Sequence, residues 1–511
     1  MQRLPIGIQS FEELRKGGFL YIDKTRYIHK LATSNKYYFL SRPRRFGKSL
    51  LVSTLRGLFE GNRELFEGLW IENHWDWTAT NPVILLQFNK ASYKISGLEA
   101  ALHEELERLS ELFDVSLKNA PYPSQLEELI IGISQKHGKV VFLVDEYDKP
   151  IIDFLEDIPQ AEANREILKN FYSVLKPLDG HLRMVFFTGV SKFSRVSIFS
   201  ELNNLLDLTI HQDYATMLGY TQEELEYYFA DRIEALASEF GDKEAFLQKI
   251  KTWYNGYTWD CKNYVYNPFS ILGFFEKRQF QNFWFESGTP TFLVKLLNRQ
   301  KQYDLEHIQV GPSAFNSFEL NRLDPYTLLF QTGYVTIQSV DEDEIYTLSY
   351  PNKEVKDSLL QYLLAEYSHE FPTKTSVLAS QMKNALQQDR LEDFVQSINA
   401  LFASIPYQIF IADKEAYYHS VIFLALSLMG SYIRAEVSQA QGRPDAVVHT
   451  KNCIYIIAFK LDESAELVLQ QIKDKNYASP YLGQDKPVKG LGIHFSSTQK
   501  GVDSWLMEEM L

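Results

Sequence analysis

Cysteine is almost missing from this chain of 511 residues, which carries only Cys261 and Cys453, far apart and without metal-type spacing. That count argues against a disulfide framework and a zinc site, and it fits a reducing compartment. Long apolar runs are scarce too. The longest towards the C-terminus, "VIFLALSLM" (421–429), is too short to span a bilayer. The opening "MQRLPIGIQSFEEL" has no apolar signal-peptide core, so a soluble cytoplasmic protein with no membrane partner is expected. Positive charge is in deficit: 52 basic against 66 acidic residues give −14. Such a balance argues against a whole-molecule polyanion binder, while a local basic groove survives the average. What is present is ordinary globular composition, 45% hydrophobic and 23% charged. The length suggests roughly three domains.

Up to about residue 215, short apolar runs alternate with helical patterns, the signature of a parallel α/β sheet. Strands are expected at "YYFLS" (37–41), "PVILLQF" (82–88), "KVVFLVDE" (139–146), "RMVFFTGV" (183–190) and "LDLTIH" (206–211). These runs are apolar throughout rather than alternating, as strands covered on both faces should be. Helical, aromatic text follows over 219–310, where Thr221 and Glu224 form a capping-box pattern. Residues 311–350 read as a small helix-plus-hairpin unit, and helices are expected over 353–403. Beyond about 413 the pattern is helix, three strands, helix, strand, a compact α/β module. The expected divisions are 1–218, 219–310, 311–403 and 404–511.

One glycine is conspicuously absent. The stretch "YYFLSRPRRFGKSLLVSTL" ends like a phosphate-binding loop, yet Ser41 stands where such a loop has its first glycine. The chemistry rests more on the last three residues. Gly47 permits close backbone approach, Lys48 would reach the β- and γ-phosphates, and the Ser49 hydroxyl would sit on Mg²⁺. Ser41 can open the loop if its φ is negative. Arg45 and Leu50 flank the tripeptide and complete the expected cofactor-binding set, although Arg44 and Arg45 read equally as solvated loop arginines. The strand "VVFLVDE" then ends in Asp145, expected to hold the metal through water, and Glu146, expected to orient or deprotonate the nucleophile. Asp148 reads as a cap for the helix that starts near Pro150. Thr188 ends another strand and is either a γ-phosphate sensor or simply structural. Arg195 is either a finger onto a neighbouring copy's phosphate, which would imply a homo-oligomer, or, the favoured reading, a surface or packing arginine. Each fragment alone is common. Together, each on the correct element, they point to ATP.

The last absence is a carboxylate. In "GRPDAVVHTKNCIYIIAFKL", Asp445 lies in one strand and Lys460 follows in the next. A two-strand, Mg²⁺-dependent phosphodiester-cleaving site needs a second acid two residues before the lysine, where strand alternation puts both on one face. That position is Ala458. Gln471, Lys475 and Tyr477 on the following helix could reach the same edge, and Glu415 could add an outer acid. Asp462 shares the face but lies beyond Lys460, so it substitutes poorly. Taken alone, a plain surface hairpin is the better reading of these residues.

Resemblance changes that weighting. The stretches "YIDKT", "RPRRFGKSLL", "VFLVDEYDKPI", "TGVSKFS", "WYNGY", "VYNPFSIL", "LLFQTGYVTI", "YYH", "GRPDAVV", "YIIAFKLD" and "QIKDKNYASPY" span the chain nearly end to end. In them the chain resembles a bacterial and archaeal family joining an AAA-ATPase-like domain to a C-terminal PD-(D/E)XK nuclease-like domain. The fold class implied is α/β: a P-loop, AAA-like parallel sheet, a helical and winged-helix-like middle, and a restriction-endonuclease-like α/β end. ATP binding is implied at Lys48, Ser49, Asp145 and Glu146. Mg²⁺-dependent cleavage of nucleic acid, DNA foremost, is implied at Asp445 and Lys460, with Gln471 beside them. The family commonly shows Glu-Phe-Lys where this chain has Ala458, Phe459 and Lys460, so cutting is expected to be disabled here. Two origins fit: a ligand deletion that holds substrate uncut, which an isolated change favours, or a degenerate module that only binds. The rival reading is a nuclease-inactive ATP-dependent switch that binds nucleic acid or a protein partner. Phage defence is a setting suggested by the resemblance alone.

Overall fold

The computed structural model describes residues 1–88, 92–192, 198–199, 202, 204–284, 291–315, 324–403, 415–430, 434–437, 444–483 and 485–510. Arg195 and the side chain of Glu415 lie outside the described residues. Two compact units emerge: Met1–Phe292 with Leu305–Glu354, and Leu293–Asp304 with Val355–Leu511.

In the first unit, β1 (Tyr37–Ser41), β2 (Val83–Gln87), β3 (Val140–Asp145), β4 (Leu182–Gly189) and β5 (Leu206–Asp207) form a parallel sheet ordered β2-β3-β4-β1-β5. All residues of β1 and β3 are buried, which is why their sequences show no alternation. The helix Lys48–Phe59 lays Leu51, Val52, Leu55 and Phe59 into one core with Tyr38, Leu40, Val141, Leu143 and Phe186. On the opposite side Phe39 packs edge-on against Tyr147. β5 is shorter than "LDLTIH" suggested. The Asp207 carboxylate accepts from the Thr209 N–H (2.9 Å), a local turn that ends strand pairing.

The Thr221–Glu224 capping box is present in both directions. Its helix, Gln222–Tyr228, stops at Phe229, whose ring stacks on Phe275 (4.9 Å), and a second helix, Ala230–Ala237, follows. In "WYNGYTWDCKNYVY", Tyr254, Tyr257, Trp259 and Tyr266 are buried packing residues, whereas Trp253 is half-buried and Tyr264 is exposed. The helix Pro325–Thr332 adjoins a three-stranded antiparallel sheet of β6 (Ile308–Val310), β7 (Thr336–Val340) and β8 (Tyr346–Ser349).

The second unit contains the helices Pro372–Gln387, Leu391–Ala403 and Glu415–Gly430 and a mixed sheet ordered β13-β12-β11-β10-β9. Its strands are β9 (Arg434–Val437), β10 (Ala446–His449), β11 (Ile454–Leu461), β12 (Val488–Ser496) and β13 (Gly501–Met510). β11 and β12 are parallel, joined through the helix Ala465–Asp474, and the other pairs are antiparallel. β13 is one strand more than the sequence pattern gave. As an edge strand carrying Asp503, Glu508 and Glu509, it lacks the apolar run that marks the central strands.

Candidate functional site

Ser41 stays in strand conformation at the end of β1 and is buried. Its Oγ donates to the Val190 carbonyl (2.6 Å) and its N–H donates to Thr209 Oγ1 (3.2 Å), so the residue replacing glycine anchors the loop's root. Arg42 reinforces that root. Its guanidinium is fully buried, donates to the carbonyls of Ser41 (2.9 Å) and Thr209 (2.6 Å), and stacks over Trp259 (4.0 Å). Gly47 has φ +89°, a left-handed conformation that costs glycine nothing and most residues about 1 kcal/mol. Lys48 then starts the helix. Its Nζ donates to the carbonyls of Arg42 and Pro43, each at 2.9 Å, while burial pushes its pKa down.

A cavity of about 380 Å³ opens on this loop. Arg45, Gly47, Lys48, Ser49 and Leu50 line it together with Arg44, as do Glu146 and Asp148 from beyond β3. The Arg45 guanidinium lies over the Phe269 ring at 4.6 Å. Pro5, Ile8, Tyr220, Phe269 and Leu272 add apolar lining that the sequence does not mark as part of a site. They come from three distant segments, and nothing local marks them.

Asp145 is buried at the end of β3. Its Oδ1 accepts from Thr188 Oγ1 (2.8 Å), while its buried Oδ2 has no partner. Thr188 is fully buried on β4, the strand between β1 and β3, so it bridges the loop strand and the acid strand. Glu146 adopts φ +57° and is half-buried; burial and then the neighbouring Asp145 raise its pKa. Asp148 is not the expected helix cap. It occupies the N-cap position of Lys149–Ile152 without a capping bond, and its carboxylate instead binds the loop after β4. Lys48 thus sits in the field of Asp145, Glu146 and Asp148. Three acids facing one lysine, with unmatched buried carboxylate oxygens on Asp145 and Asp148, fit a divalent cation arriving with phosphates.

The second unit carries the other predicted residues. The β10–β11 register pairs Ala446 with Ile457. Extending it by one residue sets Asp445 opposite Ala458, and alternation puts Lys460 on that same face. Asp445 is partly exposed and Lys460 half-buried. Asp445 Oδ2 accepts from the Phe459 N–H (2.9 Å), continuing the ladder where β10 has ended. Ala458 is buried against Val468, Leu469 and Ile472 of the helix Ala465–Asp474, with Tyr477 in the same core. Gln471 is half-buried on that helix and Lys475 is exposed at its end. Asp462 is exposed beyond β11, accepting from the Ser497 N–H (2.9 Å). His419, on the helix Glu415–Gly430, brings Nε2 to 3.8 Å from Asp445 Oδ1 and packs on Phe459 (4.6 Å). No group of three His, Cys, Asp or Glu suited to a metal occurs among the described residues. The edge as it stands does not fit a two-carboxylate Mg²⁺ site.

Family models match at both ends: a predicted AAA-ATPase over residues 5–199 and the PD-(D/E)XK nuclease superfamily over 413–505. A protein from the vnfD 5′ region of Azotobacter chroococcum mcd 1, described as uncharacterized, is 38% identical over 523 residues, covering 100% of this chain and 99% of that one. The chain belongs to this AAA-ATPase-like/PD-(D/E)XK family. The loop residues Arg45, Gly47, Lys48, Ser49 and Leu50 and the acids Glu146 and Asp148 that line the cavity therefore lie in its ATPase-like domain, while Tyr220, Phe269 and Leu272 reach the cavity from beyond residue 199. Asp445, Ala458 and Lys460 lie in its nuclease-superfamily domain. Among solved structures, Aeropyrum pernix ORC1 in complex with DNA matches at 13% identity and TM-score 0.25, covering 66% of this chain and 91% of that one. Aeropyrum pernix ORC2 matches at 13% and 0.29, covering 67% and 92%. Similarity of that size carries no argument. Among the described residues, no helix is long and apolar enough to cross a membrane.

Proposed function

We propose that the ATPase-like domain binds ATP with Mg²⁺ in the 380 Å³ cavity and hydrolyses it. The observation that carries this reading is that one cavity joins Gly47, Lys48 and Ser49 to Glu146 and Asp148. Lys48 exchanges its two loop carbonyls for phosphate oxygens. Ser49 and Asp145 are the residues that would hold the cation, which supplies charge neutralisation on the phosphates. Glu146 orients the attacking water and takes its proton. Thr188 fixes one oxygen of Asp145, leaving the other free. Arg45 and Leu50 border the loop, and the apolar lining residues Ile8, Tyr220 and Phe269 receive the base. Titration of ATP with Mg²⁺ should show saturable binding that Lys48→Ala weakens at least about a hundredfold; equal binding by that variant would overturn the reading.

The nuclease-superfamily domain, in this reading, engages nucleic acid, DNA foremost, along the edge that carries Asp445 and Lys460. Ala458 leaves it without a second metal-ligating acid, so the domain holds its substrate without cutting, and ATP acts as a switch on that grip. Phosphate-directed binding predicts an affinity that falls steeply with salt. A salt-independent partner would instead favour the alternative, a switch acting on protein. A cytoplasmic setting, a homo-oligomeric state and a role in phage defence belong to the same proposal.

A further inference from the structure

Asp148 has a geometry that its position in the "DEYD" run does not suggest. It is 1% exposed, and its two carboxylate oxygens have different surroundings. Oδ2 accepts three bonds from one short segment: the Val190 N–H (3.0 Å), the Ser191 N–H (2.7 Å) and Ser191 Oγ (2.8 Å). Oδ1 is buried with no partner, and the residue lines the nucleotide cavity. Gly189 makes room for it, since a Cβ there would stand 2.7 Å from Oδ1. A buried carboxylate oxygen without a donor costs several kcal/mol, an arrangement retained where a ligand brings the donor.

The tied segment leads away from the cavity. The residue after Ser191 is Lys192, whose N–H donates to Gln331 Oε1 (2.8 Å) on the helix Pro325–Thr332. Lys192 Nζ donates to the Phe315 carbonyl (2.8 Å) and pairs with Asp207 (2.8 Å), the last residue of β5. Asp148 is therefore a single side chain that both lines the cavity and holds the segment that reaches the helix-plus-sheet element.

We propose that Asp148 is a positioning residue for the cation-bearing phosphates, its free oxygen accepting a hydrogen bond from water that accompanies the cation while its other oxygen keeps the 190–192 segment in place. The proposal rests on the reading of the cavity as an ATP·Mg²⁺ site and extends it beyond Asp145 and Glu146. Asparagine separates the two ends. In Asp148→Asn the amide oxygen can take over the three bonds to Val190 and Ser191, and the amide nitrogen puts a donor where the free acceptor stood.

The test measures the affinity of the full chain for a fluorescent, non-hydrolysed ATP analogue in EDTA and in Mg²⁺. The wild type is expected to gain at least tenfold on adding Mg²⁺. Asp148→Asn is expected to match it within about twofold in EDTA and to lose that gain. A variant that keeps the Mg²⁺ gain, or that weakens equally in both buffers, overturns the proposal. Ser191→Ala, which leaves the Asp148 carboxyl in place and removes one bond on the far side, must keep the gain, and its loss there overturns the proposal even if Asp148→Asn folds poorly. A wild type that binds no nucleotide in either buffer refutes the underlying ATP reading, a distinct outcome.

Discussion

Replacing Ala458 with glutamate places a carboxylate directly across from Asp445 and separates the two views of the nuclease-superfamily domain. Cross-strand partners have Cβ atoms about 4.5–5.5 Å apart. Two carboxylates at about 5 Å, with an effective dielectric of about 20, repel by roughly 3 kcal/mol. Lys460 on the same face offsets part of this. The alanine site is 3% exposed against Val468, Leu469 and Ile472, so the larger side chain adds about 1–3 kcal/mol of overpacking. In EDTA, Ala458→Glu should thus be destabilised by about 2–4 kcal/mol, lowering the melting temperature by about 2–4 °C for each kcal/mol. Divalent metal joins the two carboxylates and should restore most of the loss, because a ligand bound only by the folded state stabilises it. Thermal scans in EDTA and in Mg²⁺ read this without reference to activity, and plasmid nicking reads the restored chemistry. A variant whose melting temperature is the same with and without metal, and which nicks nothing in any nucleotide state, would refute the assignment of this edge as a nuclease site with one ligand missing.

Glu354 accepts from Ser270 Oγ (2.7 Å) and from the N–H groups of Phe283 (2.6 Å) and Trp284 (2.8 Å), all buried. Glu354→Ala strands those donors and should cost about 3–5 kcal/mol in urea unfolding; a change below about 1 kcal/mol would show that the contact is not formed. Because burial and Asp145 raise the Glu146 pKa from 4.5, ATP turnover should fall with acid at a higher pH than an ordinary glutamate would give. The sign follows from its role as a base: protonation below the raised pKa removes the acceptor. Glu146→Gln should retain ATP binding, lose turnover and show no acid limb, so full turnover in that variant would exclude Glu146 as the base.

The loop and the acid strand could be read from sequence because each is contiguous. Gly47, Lys48 and Ser49 follow an apolar strand, and Asp145 with Glu146 ends another. The strand order could not be read, because which neighbour each apolar run pairs with is a matter of tertiary packing; β4 between β1 and β3 is what lets Thr188 reach Asp145. Asp148 looked like a cap since acids before a helix usually are, and only the fold brings Val190 and Ser191 to its carboxylate. The apolar lining of the cavity is illegible in the sequence for the same reason. Pro5, Tyr220 and Phe269 lie far apart in sequence and look like ordinary core or turn residues. In the other unit the Asp445–Ala458–Lys460 alignment was legible from spacing, whereas the approach of His419 from a separate helix was not.

Calorimetric titration of ATP with Mg²⁺ into the wild-type chain and into Lys48→Ala tests the phosphate-loop cavity most directly. Lys48 gives up two bonds at 2.9 Å to make phosphate contacts, each charge-assisted bond being worth about 1.5–3 kcal/mol. The wild type should bind one nucleotide per chain, and the variant at least about a hundredfold more weakly. Indistinguishable isotherms for the two proteins, or no heat from the wild type, would contradict the assignment.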